Sequence, residues 1–305
     1  MTECADIFKL YANSLPVKGA RRSIICDLQN QRAQFIPNDL FFILTELKRL
    51  SVSEIKERFK DTPEKIIDDY FNLLIEQDYG FWCDEPDRFP DVDLSWDRPE
   101  AITNAIVDID QTSKHDYRQI FSQLNNLGCQ AVQVRAYDPL SMKELEGILQ
   151  ACQNLRLRHL DLVIKFHPQL TLETLVDFCM RYQLISRIVV HSSPHESKAK
   201  VDPLPIFIRF HTYEVTPSSC GEVAPGYFSL TLEHFAEAHL FNTCLNRKIS
   251  IAANGDIKSC PAMQQSLGNI GNVSLASVVK HPVLVQLGSI TKDQIEVCRD
   301  CEFRY

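Results

Sequence analysis

The chain has 305 residues, with 40 acidic and 32 basic side chains and a formal net charge of −8. Hydrophobic residues make up 45% of it and charged residues 24%, which is ordinary globular usage and excludes wholesale disorder. The acidic balance excludes a dedicated nucleic-acid-binding protein, because such a protein needs a basic face to neutralise phosphates.

The length predicts two or three domains, at roughly 150 residues for each. No apolar run approaches the roughly 20 residues that a membrane-spanning helix needs. The first 25 residues contain neither an uninterrupted apolar core nor a small-residue cleavage site, so no secretory signal is expected. We therefore expect a cytoplasmic protein that has no membrane partner and no nucleic-acid partner.

Residues 1–90 are predicted to form a small α/β domain. Two alternating segments, 22–28 and 32–37, flank a polar turn and are typical of a β-hairpin. Three helices follow them, and the segment 79–83 predicts a last strand or wing. Two strands, three helices and a wing together resemble a winged helix-turn-helix.

The starts of the three helices carry recognisable signals. Asn38 or Asp39 is the predicted cap of the first helix, the capping box at 51–54 opens the second, and Pro63 is the predicted first residue of the third. Acidic and basic residues are mixed over 54–58 in the second helix, which suits contact with a peptide better than contact with phosphate. The domain is therefore interpreted as a peptide-recognition domain, with a purely structural cap as the alternative.

A proline- and aspartate-rich passage, 84–93, marks the boundary of a second domain at 97–215. Apolar strands alternate there with amphipathic helices centred on 120–124, 145–149 and 172–179. Strand starts recur roughly every 27 to 30 residues, which is the rhythm of a parallel sheet with crossover helices. This predicts an α/β fold with an incomplete parallel (β/α) barrel, and a doubly wound sheet is the alternative. The predicted strands are 101–110, 131–137, 160–166, 187–191 and 206–210.

Eleven cysteines is a high count, and in the cytoplasm they are expected to be thiols or metal ligands. Six are spread widely, several in apolar surroundings, and are interpreted as small core residues. The other five crowd into the final third, which defines a cysteine-rich region at 216–305. The six scattered cysteines are Cys4, Cys26, Cys83, Cys129, Cys152 and Cys179.

The cysteine-rich region contains two pairs with metal-ligand spacing. Cys244 and Cys260 bracket a predicted hairpin whose turn, Asn254-Gly255, is typical of type I′. Such a hairpin brings a thiol before its first strand and a thiol after its second towards a common centre. Cys298 and Cys301 form the second pair, a C-x2-C. Thiolates in this pattern predict a metal site, and soft thiolates select iron–sulfur clusters or zinc.

Other side chains are weaker candidates for chemistry. Cys220 is a candidate fifth ligand, with an ordinary loop thiol as the alternative. His234 and His239 lie five positions apart rather than the four that would place two ligands on one helical face. The sequence has no P-loop and no glycine-rich dinucleotide turn, and no catalytic residue is assigned.

Cys244, Gly255 and Cys260, followed by the segment 267–272 and by the C-x2-C at 298–301, resemble the start of a SPASM domain. That module binds auxiliary iron–sulfur clusters in many radical SAM enzymes that modify peptides. The whole chain resembles the SPASM-domain maturases of the grasp-with-spasm peptide systems. The resemblance implies 4Fe-4S clusters, a ribosomally made precursor peptide and an ATP-grasp peptide ligase as partners.

Two features depart from the pattern that the resemblance implies. Radical SAM chemistry needs three thiolates at C-x3-C-x2-C after the first barrel strand, and the corresponding loop, 110–117, contains no cysteine. We therefore do not expect S-adenosylmethionine as a cofactor. SPASM domains also continue with further cysteines, whereas this chain stops at Tyr305, so we expect a truncated SPASM-like region, with closure of the four paired thiols on one metal as the alternative.

Three functions are weighed on these grounds. The first is a binding and scaffold protein for peptide maturation, whose N-terminal domain holds a precursor peptide by strand addition to its hairpin. The second is a redox or radical peptide-modifying enzyme that uses the auxiliary cluster. The third is a zinc-knuckle interaction protein, which needs only the four paired thiols. The first is preferred, because the apparatus for the second is incomplete.

Overall fold

The structure is a computed structural model that describes residues 6–221 and 223–305. Cys4 lies outside the described residues. The described chain divides into two compact units. The first unit comprises residues 6–97, Val223–Thr243 and Ile290–Tyr305, and the second comprises residues 98–221 and Cys244–Ser289. The region 216–305, predicted from its cysteines, contributes residues to both units.

The first unit is built from short strands and helices. Three strands form an antiparallel sheet in the order β2-β3-β4, and β1 pairs with β5 in a second, two-stranded sheet. The bounds are β1 Ile7–Leu10, β2 Ser14–Val17, β3 Ser23–Asp27, β4 Arg32–Ile36, α1 Asn38–Glu46, α2 Val52–Arg58, α3 Glu64–Glu76, β5 Gly80–Cys83 and α7 Leu232–Leu240.

The predicted hairpin forms from β3 and β4, which pair antiparallel from Ser23 opposite Ile36 to Asp27 opposite Arg32. Its turn is held by the buried carboxylate of Asp27. That carboxylate accepts hydrogen bonds from the backbone amide of Asn30 at 3.0 Å and from Arg32 Nε at 2.8 Å. Burial raises the pKa of Asp27, but donation by Asn30 and Arg32 outweighs it, and the pKa lies below its ordinary value.

The three predicted helices also form, although two of them start differently from the prediction. The capping box that opens α2 is present, with Ser51 and Glu54 each bonded to the other's backbone amide. The predicted cap of α1 is wrong, because Pro37 occupies that position and the Asn38 side chain accepts a hydrogen bond from Ser23 Oγ at 2.7 Å instead. Pro63 directly precedes α3 rather than being its first residue.

The segment predicted as a strand or wing is β5, and it pairs antiparallel with β1 from Ile7 opposite Cys83 to Leu10 opposite Gly80. No pattern in the sequence predicted β1. Phe8 on β1 packs against Phe71 of α3 and against Trp82, with ring centroids 5.3 Å apart in both contacts. These contacts tie the ends of the segment 7–83 into one core, and the winged-helix interpretation stays a prediction.

We expect the substitution Asp27→Asn to lower the free energy of unfolding by about 1–3 kcal/mol at neutral pH, because amide and guanidinium donors lose a charged acceptor. The pKa of folded Asp27 is depressed, so its contribution is complete above the unfolded pKa of about 3.9 and is lost as the pH falls through the folded pKa. Urea unfolding at several pH values therefore should show a difference that shrinks below pH 4. Asp61→Asn, at an exposed site, is the control, and a difference independent of pH contradicts the assignment.

The second unit is organised around an eight-stranded sheet with the order β10-β11-β9-β8-β7-β6-β12-β13. The pairs from β12 through β6, β7, β8 and β9 to β11 are parallel, and the two outermost pairs are antiparallel. The strands are β6 Asn104–Ile109, β7 Ala131–Pro139, β8 His159–Lys165, β9 Ile185–His191, β10 Ser197–Val201, β11 Ile206–Phe210, β12 Lys248–Ile251 and β13 Ile257–Lys258. The helices are α4 Tyr117–Asn126, α5 Met142–Ala151, α6 Leu172–Arg181, α8 Leu275–Val278 and α9 Pro282–Ser289.

All five strands and all three helices predicted for the second domain form, and the predicted parallel pairing is confirmed. Side chains that alternate along each strand divide the sheet into two faces. One face is apolar and packs with the helices in a single core, to which Val107, Val134, Leu162 and Ile188 belong. The sheet ends at β10 on one side and at β13 on the other within the described residues. No helix in those residues is long and apolar enough to cross a membrane.

Candidate functional site

A buried ion pair occupies the second face of the sheet. Asp108 on β6 and Arg135 on β7 are register partners, so their side chains lie side by side on the face opposite the apolar core. Arg135 donates from Nε to Asp108 Oδ1 at 2.7 Å and from Nη2 to Oδ2 at 2.9 Å. Arg135 is only 2% exposed and Asp108 only 1%. A bidentate pair of this kind holds the planar guanidinium and the carboxylate in one relative orientation.

Tyr137 completes this group, because its hydroxyl accepts a hydrogen bond from Arg135 Nη2 at 2.5 Å. Burial lowers the pKa of Arg135, but the hydrogen bond and charge of Asp108 raise it by more. Burial raises the pKa of Tyr137, and the charge of Asp108 adds to this. The group therefore keeps a charged guanidinium and a neutral phenol at neutral pH.

Two cysteines meet in the same unit. The Sγ atoms of Cys220 and Cys260 lie 3.4 Å apart, within hydrogen-bonding distance for sulfur, and both residues are partly exposed. Arg135 and Asp108 both act electrostatically on Cys260, and Arg135 acts on Cys220 as well. The thiols therefore belong to the same polar neighbourhood as the ion pair.

The two thiols differ in acidity because one of them donates to the other. Donation by the Cys220 thiol lowers the pKa of Cys260 to about 6, against an opposing effect of burial and with help from the Ala262 amide and the charge of Arg135. The same hydrogen bond raises the pKa of Cys220, and burial raises it further. The hydrogen bond that the two sulfurs share therefore lowers the pKa of Cys260 and raises the pKa of Cys220.

The hairpin predicted between Cys244 and Cys260 forms from β12 and β13. The type I′ prediction for its turn is wrong, because Gly255 has a positive φ of 87° whereas Asn254 does not. The amide of Gly255 donates to the carbonyl of Ala252 at 2.8 Å, which places the glycine at the end of a β-turn rather than inside it. A left-handed residue directly after such a turn is the pattern of longer hairpin loops.

The predicted metal ligands are spread over both units. Cys244 is exposed, and Cys298 and Cys301 are partly exposed in the first unit, where the Cys301 amide donates to the Cys298 carbonyl at 3.0 Å. No group of three or more histidine, cysteine or acidic side chains is placed to hold one metal ion in the described part of the chain. Thiolates are the ligand type that an iron–sulfur cluster binds. A cluster is held by four of them, however, and only the sulfurs of Cys220 and Cys260 meet among the described residues. The four-ligand set therefore stays a prediction.

Five of the scattered cysteines are buried, which confirms their interpretation as core residues. Burial raises the pKa of three of them, Cys26, Cys129 and Cys152, to about 12, and that of Cys179 to about 11. Burial also raises the pKa of Cys83. Because the thiolate is the reactive and metal-binding form, these five are separated in chemistry from the cysteines of the region 216–305.

The loop after β6 is closed by its own polar groups. Asp110 accepts hydrogen bonds from the amide and hydroxyl of Thr112 at 2.8 Å, and His115 Nε2 lies 2.9 Å from the carbonyl oxygen of Asp108. The loop lines a cavity of about 660 Å³ together with Asp138 and Glu144, from the ends of β7 and the start of α5. Asp110 and Thr112 are thus bonded to each other, and no side chain in the loop can supply a thiolate.

Residues 243–302 match the SPASM family model. That model describes an iron–sulfur cluster-binding domain. The matched segment contains four of the predicted ligands, Cys244, Cys260, Cys298 and Cys301, whereas Cys220 lies before it. Its residues 244–289 belong to the second unit, whereas Thr243 and its residues from Ile290 onwards belong to the first. No curated protein matches the sequence.

Two crystal structures of SuiB from Streptococcus suis are similar to this chain over most of its length. One is bound to S-adenosylmethionine, with 11% identity, 97% of this chain and 93% of that chain covered, and a TM-score of 0.36. The other is bound to the precursor peptide SuiA, with 11% identity, 97% and 94% covered, and a TM-score of 0.35. A likeness at these TM-scores defines neither the fold nor the function of this chain.

Sequence reasoning missed the group formed by Asp108, Arg135 and Tyr137. A signal for it exists in the sequence, because Asp108 and Arg135 are charged residues inside otherwise apolar strands. The two strands pair in parallel, so charges at equal positions in consecutive strands come together on one face. The contact between Cys220 and Cys260 has no such signal, because Cys220 lies in an irregular segment.

The ion pair should behave as a buried one. We expect Arg135→Met and Asp108→Leu each to cost about 3–5 kcal/mol of unfolding free energy, because each leaves a buried charge unpaired, and the double variant to recover most of that loss. Denaturant unfolding of the four proteins measures the coupling.

The exposed cross-strand pair of Arg187 with Asp161, at 2.5 Å in the same sheet, is the matched control. Its variant Arg187→Met should cost about 0–1 kcal/mol, because solvent screens the pair. Equal costs for Arg135→Met and Arg187→Met would contradict the burial argument.

Thiol alkylation should divide the cysteines into two classes. In the native, metal-free protein at pH 7.5, we expect iodoacetamide to label the exposed and partly exposed thiols of the region 216–305 first and the five buried thiols last, because burial raises the pKa values of the buried thiols and removes access to them. Pulsed alkylation with peptide mass spectrometry measures each rate. The same protein in urea is the control, in which the rates should converge. Early labelling of Cys129 or Cys152 in the native protein would show that this core is open.

Proposed function

We propose that this chain is a peptide-maturation protein that holds one or more iron–sulfur clusters and a precursor peptide. The observation that carries the proposal is the match of residues 243–302 to an iron–sulfur cluster-binding domain, with paired cysteines inside the match. Under the proposal, Cys244, Cys260, Cys298 and Cys301 supply cluster ligands, and Cys220 is an additional ligand. A cluster would supply redox capacity and a rigid centre for the irregular segments around it.

The proposed place for the precursor peptide is the edge strand β4 in the first unit. Strand β4 ends the β2-β3-β4 sheet, and an edge strand can add a peptide through main-chain hydrogen bonds. Phe35 on this strand is 41% exposed. The guanidinium carbon of Arg22 lies 3.5 Å from the centre of its ring. An aromatic side chain and a cation beside an open edge support binding of an extended peptide.

The proposed chemistry does not include cleavage of S-adenosylmethionine. The loop 110–117 follows the strand where three thiolates would be needed, it contains no cysteine, and its Asp110 and His115 side chains are held by hydrogen bonds to Thr112 and to the Asp108 carbonyl. The proposal therefore assigns modification of the peptide to a partner, an ATP-grasp peptide ligase, and assigns presentation of the peptide to this chain. A cluster-dependent redox enzyme and a zinc-knuckle protein are the alternative outcomes of the following test.

Anaerobic reconstitution of the purified chain with iron and sulfide tests the cluster. We expect bound iron and sulfide, a broad absorption near about 400 nm, and loss of at least half of the iron in Cys260→Ala and in Cys298→Ala, because each removes a thiolate ligand. Cys152→Ala, at a buried thiol, is the matched control and should keep its iron.

Stoichiometric zinc in a colourless protein would overturn the iron–sulfur proposal in favour of the zinc knuckle. The reduced, reconstituted protein should also give no 5′-deoxyadenosine from S-adenosylmethionine. Its formation would overturn the scaffold role in favour of a radical enzyme.

A phage-displayed library of ten-residue peptides tests the edge strand. We expect selection on the wild-type chain to enrich peptides that Phe35→Glu no longer retains, with at least a tenfold loss, because the aromatic contact and an extended backbone are both required. Phe42→Glu, at a 46% exposed position on α1, is the control. Hydrogen exchange with an enriched peptide should protect the amides of β4, and protection elsewhere would overturn this binding mode.

A further inference from the structure

The sulfurs of Cys220 and Cys260 are nearly close enough for a covalent bond. Their Sγ atoms lie 3.4 Å apart, and a disulfide requires about 2.05 Å, so the pair needs to close by about 1.4 Å. The two residues are far apart in the chain, so nothing in the local sequence forces this approach. Both are partly exposed, so a small reagent can reach them.

The backbone around Cys220 leaves room for this movement. Gly221 directly follows it with a φ of +80°, and among the described residues, its chain neighbours aside, no atom lies within 4 Å of where a Cβ on Gly221 would be. Cys260 is held more firmly, since it follows β13 and its carbonyl accepts a hydrogen bond from the Met263 amide at 3.0 Å. Closure therefore needs a shift of the irregular segment that carries Cys220, while the hairpin that carries Cys260 stays in place.

The surroundings also favour exchange chemistry at this pair. The guanidinium of Arg135 acts electrostatically on both sulfurs, and its own position is fixed by two hydrogen bonds to Asp108. Two partly exposed sulfurs this close together are accessible to exchange with a small disulfide. The five buried cysteines lack this access.

We propose that Cys220 and Cys260 form a reversible disulfide by exchange with a low-molecular-weight disulfide such as oxidised glutathione, and that this bond withholds Cys260 from the cluster. The second half of the proposal rests on the proposed function. The first half concerns the two thiols alone. In the first half, Cys220 is the resolving cysteine, the one that displaces glutathione from Cys260. The cysteine spacing that predicts the metal site does not predict this role.

The exchange balances in two steps. The thiolate of Cys260 attacks one sulfur of oxidised glutathione, forms a mixed disulfide and releases one glutathione thiolate. Cys220 then loses its proton to solvent, attacks Cys260 Sγ and releases the second glutathione thiolate. Two protein thiols are oxidised, one glutathione disulfide is reduced to two thiols, and reduced glutathione in excess reverses both steps.

The test uses the full-length, metal-free chain equilibrated with graded ratios of oxidised to reduced glutathione. After acid quench and alkylation, peptide mass spectrometry should find a Cys220–Cys260 disulfide as the main linkage, and excess reduced glutathione should remove it. In Cys220→Ala, Cys260 should instead accumulate as a glutathione mixed disulfide, at least tenfold above wild type. Cys244→Ala is the matched control and should form the linkage as wild type does.

Absence of the linkage in wild type, or its formation between Cys260 and Cys244 in equal yield, would overturn the first half of the proposal. These measurements on the wild-type chain do not depend on the folding of any variant.

In the second measurement, oxidised and reduced proteins are each reconstituted with iron and sulfide. The oxidised protein should bind at most half the iron of the reduced one.

Equal iron uptake by the oxidised and reduced proteins would overturn the withholding of Cys260. No iron in either sample would overturn the proposed function and the withholding together. The disulfide, read by mass spectrometry without any metal, is decided separately, so the two failures are distinguishable.

Discussion

The bidentate pair of Asp108 and Arg135 is the interaction that constrains how the central strands of the second unit align. Two charges taken out of water destabilise a fold unless each finds the other in good geometry. Here the geometry is met by two hydrogen bonds of 2.7 and 2.9 Å between adjacent parallel strands. A slip of one residue between β6 and β7 would place Asp108 beside an apolar side chain and turn Arg135 to the other face. The pair thus specifies the register of the strands at the centre of the sheet.

The same pair also organises the polar face around it. Tyr137 bonds to Arg135, and the positive charge of Arg135 reaches the sulfurs of Cys220 and Cys260. Asp108 fixes the position of Arg135, but its own negative charge raises the pKa of Cys260 and so opposes the effect of the guanidinium. The charged centre of the sheet and the thiols are therefore parts of one electrostatic arrangement.

Periodicity predicted the elements that depend on local patterns, and it failed where distant contacts decide. Apolar strands and amphipathic helices of the second unit form as expected, because burial of one face follows from the residue pattern itself. Asn38 does not cap α1, because Ser23, distant in sequence, bonds to its side chain. The pairing of β1 with β5 and the contact of Cys220 with Cys260 also join distant residues, so local patterns could not predict them. The spacing of the cysteines in 243–302 was recognisable in the sequence, but the sequence did not predict which sulfurs lie together.

The turn between β12 and β13 bears on how the cysteine pattern itself should be understood. A Cβ on Gly255 would lie 3.0 Å from the amide atoms of the Asn269 side chain, and that side chain donates to the Asn254 carbonyl at 3.1 Å. The glycine between the two cysteines is thus required by backbone shape and by a neighbouring amide, with no reference to sulfur. A related protein with serine in place of every cysteine would still need this glycine. Similarity in sequence at the glycine therefore indicates a shared hairpin and does not indicate a shared metal site.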